Sequence, residues 1–375
     1  MKKKLLALIC CLALAMFALA ACSSGSDSSK AVQSSSTAVS ETGDTEDVLA
    51  DVVSGTVITD VDMSSYPEGD TVRLWIPVAS DNKYQTITDV VYNASDATDS
   101  GLETDAKGNR MYYVEWDSSV APADRVADVS FHVTRDEVLR PELVEEGTVD
   151  EAVESDAELK QYLEPSSSVK IDGIVKERAD EITEGQTTVL GKAEAIYDWV
   201  VANMNRDNNV TGCGTGDVET LLTDTMAGKC TDINSVFVAL CRAAGIPARE
   251  MFGVRMNADD ITGAQHCWAE FYLPGTGWVG ADPADVLKAV LNNDWDKDSE
   301  ETKELQDYYF GNADAQRVQL SAGRDLVLEP AQAGEPLNNF GYPYAEVNGE
   351  EVDCYDAESF SYKITFVEDE VNSTK

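Results

Sequence analysis

The chain has 375 residues, room for two or three domains with a sizeable core, and 43% of them are hydrophobic, an ordinary share for a folded protein. Its charge is lopsided: 69 Asp and Glu against 28 Lys and Arg give a formal net charge of −41. Such a surface repels phosphate backbones and anionic lipid headgroups. That argues against nucleic-acid binding and electrostatic membrane docking, and for solubility outside the cell.

Residues 1–22 read as a lipoprotein signal peptide. Lys2, Lys3 and Lys4 form a basic start, and the seventeen residues Leu5 to Ala21 are apolar or Cys. The run ends in Leu19-Ala20-Ala21-Cys22 and turns abruptly to Ser and Gly. Small residues there mark a cleavage site rather than a stop-transfer flank. Leu-Ala-Ala-Cys resembles the bacterial lipobox, which makes Cys22 a lipidated first residue holding an exported chain on the outer face of the cell membrane. An uncleaved anchor and a non-lipidated secretory signal are the alternatives. Cys213, Cys230, Cys241, Cys267 and Cys354 then remain, an odd number that leaves at least one thiol unpaired in an exported monomer.

Residues 23–50 are rich in Ser, Thr, Asp, Glu and Gly and read as a disordered tether; a flexible segment of this length reaches about 25–30 Å. From 51 to 140 the apolar pattern alternates with period two, as in Thr71–Ile76, Arg110–Trp116 and Ala127–Thr134, with turn clusters between. That predicts a small antiparallel β-sandwich. In the last of these strands Val129, Phe131 and Val133 share the buried face, so His132 points away from it as a surface histidine. Residues 141–165 form an acidic, helical connector.

Four helices are predicted next, in the stretch 166–300. The first has Ser168 as its cap and runs through Ile182, the second covers about 191–204, and the third runs from Asp217 to about Met226. The fourth starts at Cys230, carries Ile233, Val236, Phe237, Leu240, Cys241 and Ala244 on one buried face, and stops at Gly245 before Pro247. Strands are expected from there to the end, with 301–370 completing or flanking the core.

Chemistry concentrates in three positions. Cys230 lies in the first turn of its helix, where partial positive charge favours a thiolate. His266, one of two histidines, opens a strand that places His266, Trp268, Glu270 and Tyr272 on one face and Cys267, Ala269, Phe271 and Leu273 on the other. Asp282 follows a turn at Pro274–Gly277. An odd-numbered hairpin loop centred on Pro274 puts Asp282 opposite His266, able to accept the ring N–H; a four-residue loop puts it on the wrong face. Trp268 and the Gly212-Cys213-Gly214 loop are candidate site-lining positions, Cys213 also as a resolving or regulatory thiol. Packing and a plain turn are the bland readings of the two. A zinc site from Cys213, Cys230, His266 and Cys267 is disfavoured, because no C-x-x-C pair exists and alternation separates His266 from Cys267. No metal or cofactor is expected.

The segments Gly228-Lys229-Cys230-Thr231-Asp232, Arg242–Arg249, His266–Tyr272 and Gly277–Pro283 resemble, in order and spacing, the transglutaminase-like superfamily. The resemblance covers roughly residues 170–300. It implies an α+β papain-like core preceded by the sandwich, with Cys230 as nucleophile, His266 as general base and Asp282 as orienting acid. The implied chemistry is acyl transfer from a protein or peptide amide through a thioester, resolved by an amine or by water. Protease or cell-wall peptide amidase activity fits equally, and a non-catalytic binding or assembly module is the rival from another class. The Cys230 backbone N–H is one expected oxyanion donor, and Gln265 is a candidate for the second.

Overall fold

Alternating burial shapes the N-terminal part of the computed structural model, which describes residues 51–140 and 142–370. The expected signal peptide, lipidated Cys22 and tether lie outside the described residues. Six strands come first: β1 (Val52–Asp62), β2 (Val72–Val78), β3 (Gln85–Ala94), β4 (Asp99–Thr104), β5 (Arg110–Trp116) and β6 (Val126–Asp136). Along β6, Val129, Phe131 and Val133 are buried, while His132 faces outward and its Nε2 lies 3.0 Å from Asp369.

The connector carries α1 (Val149–Ser155), opened by a capping box of Thr148 and Glu151. Then come α2 (Gly173–Ile182), α3 (Val189–Asn203), β7 (Asn205–Arg206), α4 (Val218–Thr220), β8 (Ala227–Gly228) and α5 (Cys230–Ala243). Asp172, not Ser168, occupies the N-cap of α2; the Ser168 hydroxyl instead accepts from Asn338 Nδ2. Asp217 does cap α4, which passes into a π turn at Leu221–Thr225. Helix α5 is buried from Cys230 through Arg242 rather than on one face, because α2, α3 and α6 (Pro283–Asn293) pack around it as well as the sheet. Gly245 ends it at φ +81°, a conformation that favours glycine.

The remaining elements are β9 (Ala248–Arg255), β10 (Gln265–Leu273), β11 (Gly277–Ala281), α6, α7 (Glu300–Tyr308), β12 (Arg317–Ala322), β13 (Tyr344–Val347), β14 (Glu350–Val352) and β15 (Ser361–Glu368). Helices α6 and α7 correct the expectation of strands alone. Asp282-Pro283 is a cap followed by proline at the first helical position, a helix start that also reads as the end of a strand.

Three antiparallel sheets result, ordered β15-β1-β6-β3, β14-β13-β2-β5-β4 and β11-β10-β9-β12. The first two bury one core that includes Val57, Leu74, Val114, Phe131 and Ile364, so the sandwich draws on strands from 344–368 as well as 52–136. In the third sheet Cys267, Ala269, Phe271 and Leu273 of β10 pack with Ile233, Phe237 and Leu240 of α5. Phe237 meets Tyr197 and Phe271 edge to face, at 6.2 and 6.3 Å between ring centres. This packing fixes the N-terminus of α5 against the start of β10.

Candidate active site

Cys230 is the first residue of α5, and the Asp232 carboxylate organises its surroundings. Asp232 accepts from the backbone N–H of Lys229 at 3.0 Å and of Gly216 at 2.8 Å, which ties the Gly212–Gly216 loop to the helix start. Gly214 sits at φ +97°, and a Cβ there would collide with the Asp232 carboxylate. The Thr231 N–H donates to the Cys213 carbonyl at 2.9 Å. These constraints deliver Cys213 to Cys230: the sulfurs of Cys213, Cys230 and Cys267 all lie within 4.8 Å of one another, and all three residues are buried.

The three thiols do not titrate alike. Hydrogen bonding from Cys213, then from Cys267, holds the Cys230 thiol well below the usual range against the opposing effect of burial, and His266 adds to the lowering. Cys213 is pushed up, foremost by its hydrogen bond to Cys230, and Cys267 is pushed up by burial. One proton-poor sulfur is therefore served by two proton-holding neighbours. Cys213→Ala is expected to move alkylation of Cys230 by iodoacetamide to higher pH, while Cys213→Ser, which still donates, should retain most of the reactivity. An unchanged pH profile in Cys213→Ala would assign the lowering to Cys267 and His266 instead.

His266 is buried at the start of β10, and its Nε2 lies 2.7 Å from Asp282 Oδ2. That leaves Nδ1 as the ring nitrogen available to the thiol. The hairpin differs in register from the expectation. Leu273 pairs with Gly277 across the three-residue loop Pro274-Gly275-Thr276, so the turn centres on Gly275, not Pro274. Asp282 stands past the end of β11, and the register aligns it with Trp268; it reaches His266 along a diagonal of the same face. It also caps α6, accepting from the Asp285 N–H at 3.2 Å. Burial opposes its ionisation most strongly, yet His266 and Arg317 hold its carboxyl below the usual range.

Arg317, at the start of β12, is the residue that sequence reasoning missed. Its guanidinium lies 2.8 Å from Asp282, 3.3 Å from Asp285 and 2.5 Å from Asp314. It also sits 5.3 Å from the ring centres of both Trp268 and Tyr309. Arg255 pairs with Asp285 and Asp314 from the neighbouring strand. Asn234, one turn into α5, donates to the Cys267 carbonyl at 2.8 Å. No local motif marks these residues, because their roles arise from strands distant in sequence.

A cleft of about 810 Å³ opens on Cys230 and is lined by Cys213, Gln265, Lys288, Tyr342 and Tyr355 among others. Gln265 Nε2 is buried there without a hydrogen-bond partner among the described residues. Trp268 is absent from the cleft lining. It stacks on His266, with ring centres 6.1 Å apart and planes 23° apart, and lines a separate pocket of about 280 Å³.

Among the described residues two donor groups have the proximity a metal ion needs. His266, Asp282 and Asp285 already face Arg317 and Arg255, whose charges compete with any cation there. Cys213, Cys230 and Cys267 have the softness that suits zinc or copper(I); the absence of a C-x-x-C pair had argued against such a convergence. As expected from alternation, His266 groups with the carboxylates and Cys267 with the thiols.

Fold and site together define an α+β protein with a thiol at a helix N-terminus and a Cys-His-Asp cluster beside it. The family model of the transglutaminase-like superfamily matches residues 176–283, a span that holds Cys230, His266 and Asp282. An uncharacterized protein of Haemophilus influenzae is 38% identical over 311 residues, covering 77% of this chain and 84% of that protein. The chain belongs to the transglutaminase-like superfamily. Shorter matches are YebA of Bacillus subtilis, 29% identical over 29% of this chain and 17% of that protein, and a Pseudomonas aeruginosa protein-glutamine gamma-glutamyltransferase, 32% identical over 19% of this chain and 12% of that protein. Among solved structures, a Cytophaga hutchinsonii protein described as a candidate cysteine protease shares the fold. Its TM-score is 0.51 at 18% identity, covering 86% of this chain and all of that one.

Proposed function

We propose that the protein is an exported cysteine acyltransferase or hydrolase acting on protein or peptide amides, held at the outer membrane face by a lipid on Cys22. The observation that carries the reading is a single thiol held well below its usual pKa beside His266, whose far ring nitrogen is fixed on Asp282 at 2.7 Å. In this reading the Cys230 thiolate attacks the amide carbonyl carbon. The oxyanion that forms accepts from the Cys230 backbone N–H and from Gln265 Nε2, which has no hydrogen-bond partner among the described residues. Protonated His266 gives its Nδ1 proton to the departing ammonia or amine as the C–N bond breaks, leaving a thioester on Cys230. Water or a second amine, deprotonated by His266, then attacks the thioester and releases the thiolate. Asp282 holds the imidazole in orientation and stabilises its charged form. Among the described residues no helix is long and apolar enough to cross a membrane.

The test is incubation of the full chain with a glutamine-containing peptide and a tracer primary amine, with three products quantified by mass spectrometry. Amine incorporation marks cross-linking, conversion of glutamine to glutamate marks deamidation, and a shortened peptide marks proteolysis. Wild-type protein that yields none of the three across a peptide library would sink the enzymatic reading and leave the binding module.

A further inference from the structure

The chain's formal net charge is −41, yet the cleft over Cys230 is lined by Arg206, Lys229, Arg255 and Lys288 and, among the described residues, by no Asp or Glu. Arg255 is spoken for by Asp285 and Asp314. The other three have no ion-pair partner among the described residues; Arg206 donates through Nε to Asn208 at 2.9 Å. They come from separate places in the chain, β7, the residue before α5, and α6, and line the same cleft as Cys230. Burial, then the like charges of Arg255 and Arg206, lower the pKa of Lys288, as expected where cations share a confined space. Aromatic residues Tyr342, Tyr355, Phe360 and Tyr362 also line the wall.

Clustering like charges without partners costs stability, and an ordinary surface of this chain would place carboxylates beside them. A low-dielectric cleft of one sign focuses its field on whatever enters. The overall negative charge acts over distance and is screened beyond about 8–10 Å at physiological salt, so the local cations decide binding. We infer that the acyl donor accepted by this cleft is an acidic peptide, with carboxylates flanking the amide that Cys230 attacks. This rests on the proposed acyl-transfer reading for the role of Cys230, but the preference itself belongs to the cleft and is measurable as binding.

Three dye-labelled glutamine peptides of one length, flanked by Glu, Gln or Lys, are titrated against the full chain carrying Cys230→Ala, by fluorescence anisotropy. The same peptides are then offered to the wild type for turnover. The acidic peptide is expected to bind at least about tenfold tighter than the neutral one, with the difference collapsing at about 0.5 M salt. Lys288→Glu should erase the preference and Lys288→Arg should keep it. The protein's net charge alone predicts the opposite order, so tighter binding of the lysine peptide overturns the inference. Equal binding of all three, or binding of none, also overturns it. Acidic preference in binding with no turnover of any peptide would remove acyl transfer and leave the cleft's specificity standing. Turnover without acidic preference would do the reverse.

Discussion

Cys230→Ala is expected to lower turnover of any accepted amide by about 10⁴-fold or more, and His266→Ala by a similar factor, because in the proposed acyl-transfer reading nucleophile and base act as one unit. The double variant should be no worse than the poorer single variant. Once the thiolate is gone, the imidazole has no proton to hold, and once the imidazole is gone, the amine has no acid to leave with. Asp282→Asn has a mixed effect, since Asp282 both orients His266 and caps α6 through the Asp285 N–H. Asparagine can still cap, so the helix should survive while turnover falls. Single-turnover and steady-state kinetics on these four proteins check the pattern. Additive losses in the double variant would mean that Cys230 and His266 work on separate steps, which the paired geometry does not accommodate.

The linear order of the site was legible in the sequence because each member sits at a punctuation point. Cys230 starts a helix, His266 opens a strand and Asp282 precedes a proline. Strand alternation also placed Cys267 and His266 on opposite sides of β10, and the structure groups Cys267 with Cys213 and Cys230 but His266 with Asp282 and Asp285. What stayed hidden depended on register and on long-range convergence. Two loops differing by one residue give opposite faces for Asp282, and the three-residue loop chose the right face with a diagonal offset. The approach of Cys213 rests on Asp232 reaching back to Gly216, and nothing in the spacing of a Gly-Cys-Gly loop announces it. Arg317 belongs to a strand some 35 residues beyond Asp282, whose local pattern is that of any half-buried strand. Trp268 was placed on the correct face of β10, but that face continues past His266 into a different pocket from the one that holds the thiol.

Arg317→Met should cost about 3–5 kcal/mol at neutral pH, because it strips the shared cation from three carboxylates without removing any of them. Arg317 is 1% exposed and serves Asp282, Asp285 and Asp314 together, so only Arg255 and His266 would remain to answer their charge. In the intact protein burial raises the pKa of Asp314, but Arg317 and then Arg255 overcome it and hold the carboxyl well below the usual range; Asp282 is also held below it. Carboxyls depressed in the folded state bind fewer protons there than in the unfolded chain. Their contribution to stability is therefore present above about pH 4 and is lost as pH falls through the lower folded values. The variant behaves differently. Without Arg317 the same carboxyls rise in pKa and take up protons sooner, which relieves the uncompensated charge. The stability gap between wild type and Arg317→Met should thus be widest near neutrality and narrow on acidification, as urea unfolding at about pH 7 and about pH 4 would read. A gap of constant size would trace the loss to packing against Trp268 and Tyr309 rather than to charge. Arg317→Lys separates the two further: it keeps one positive charge but cannot bridge three carboxylates with a planar fork, so it should recover part of the stability at neutral pH.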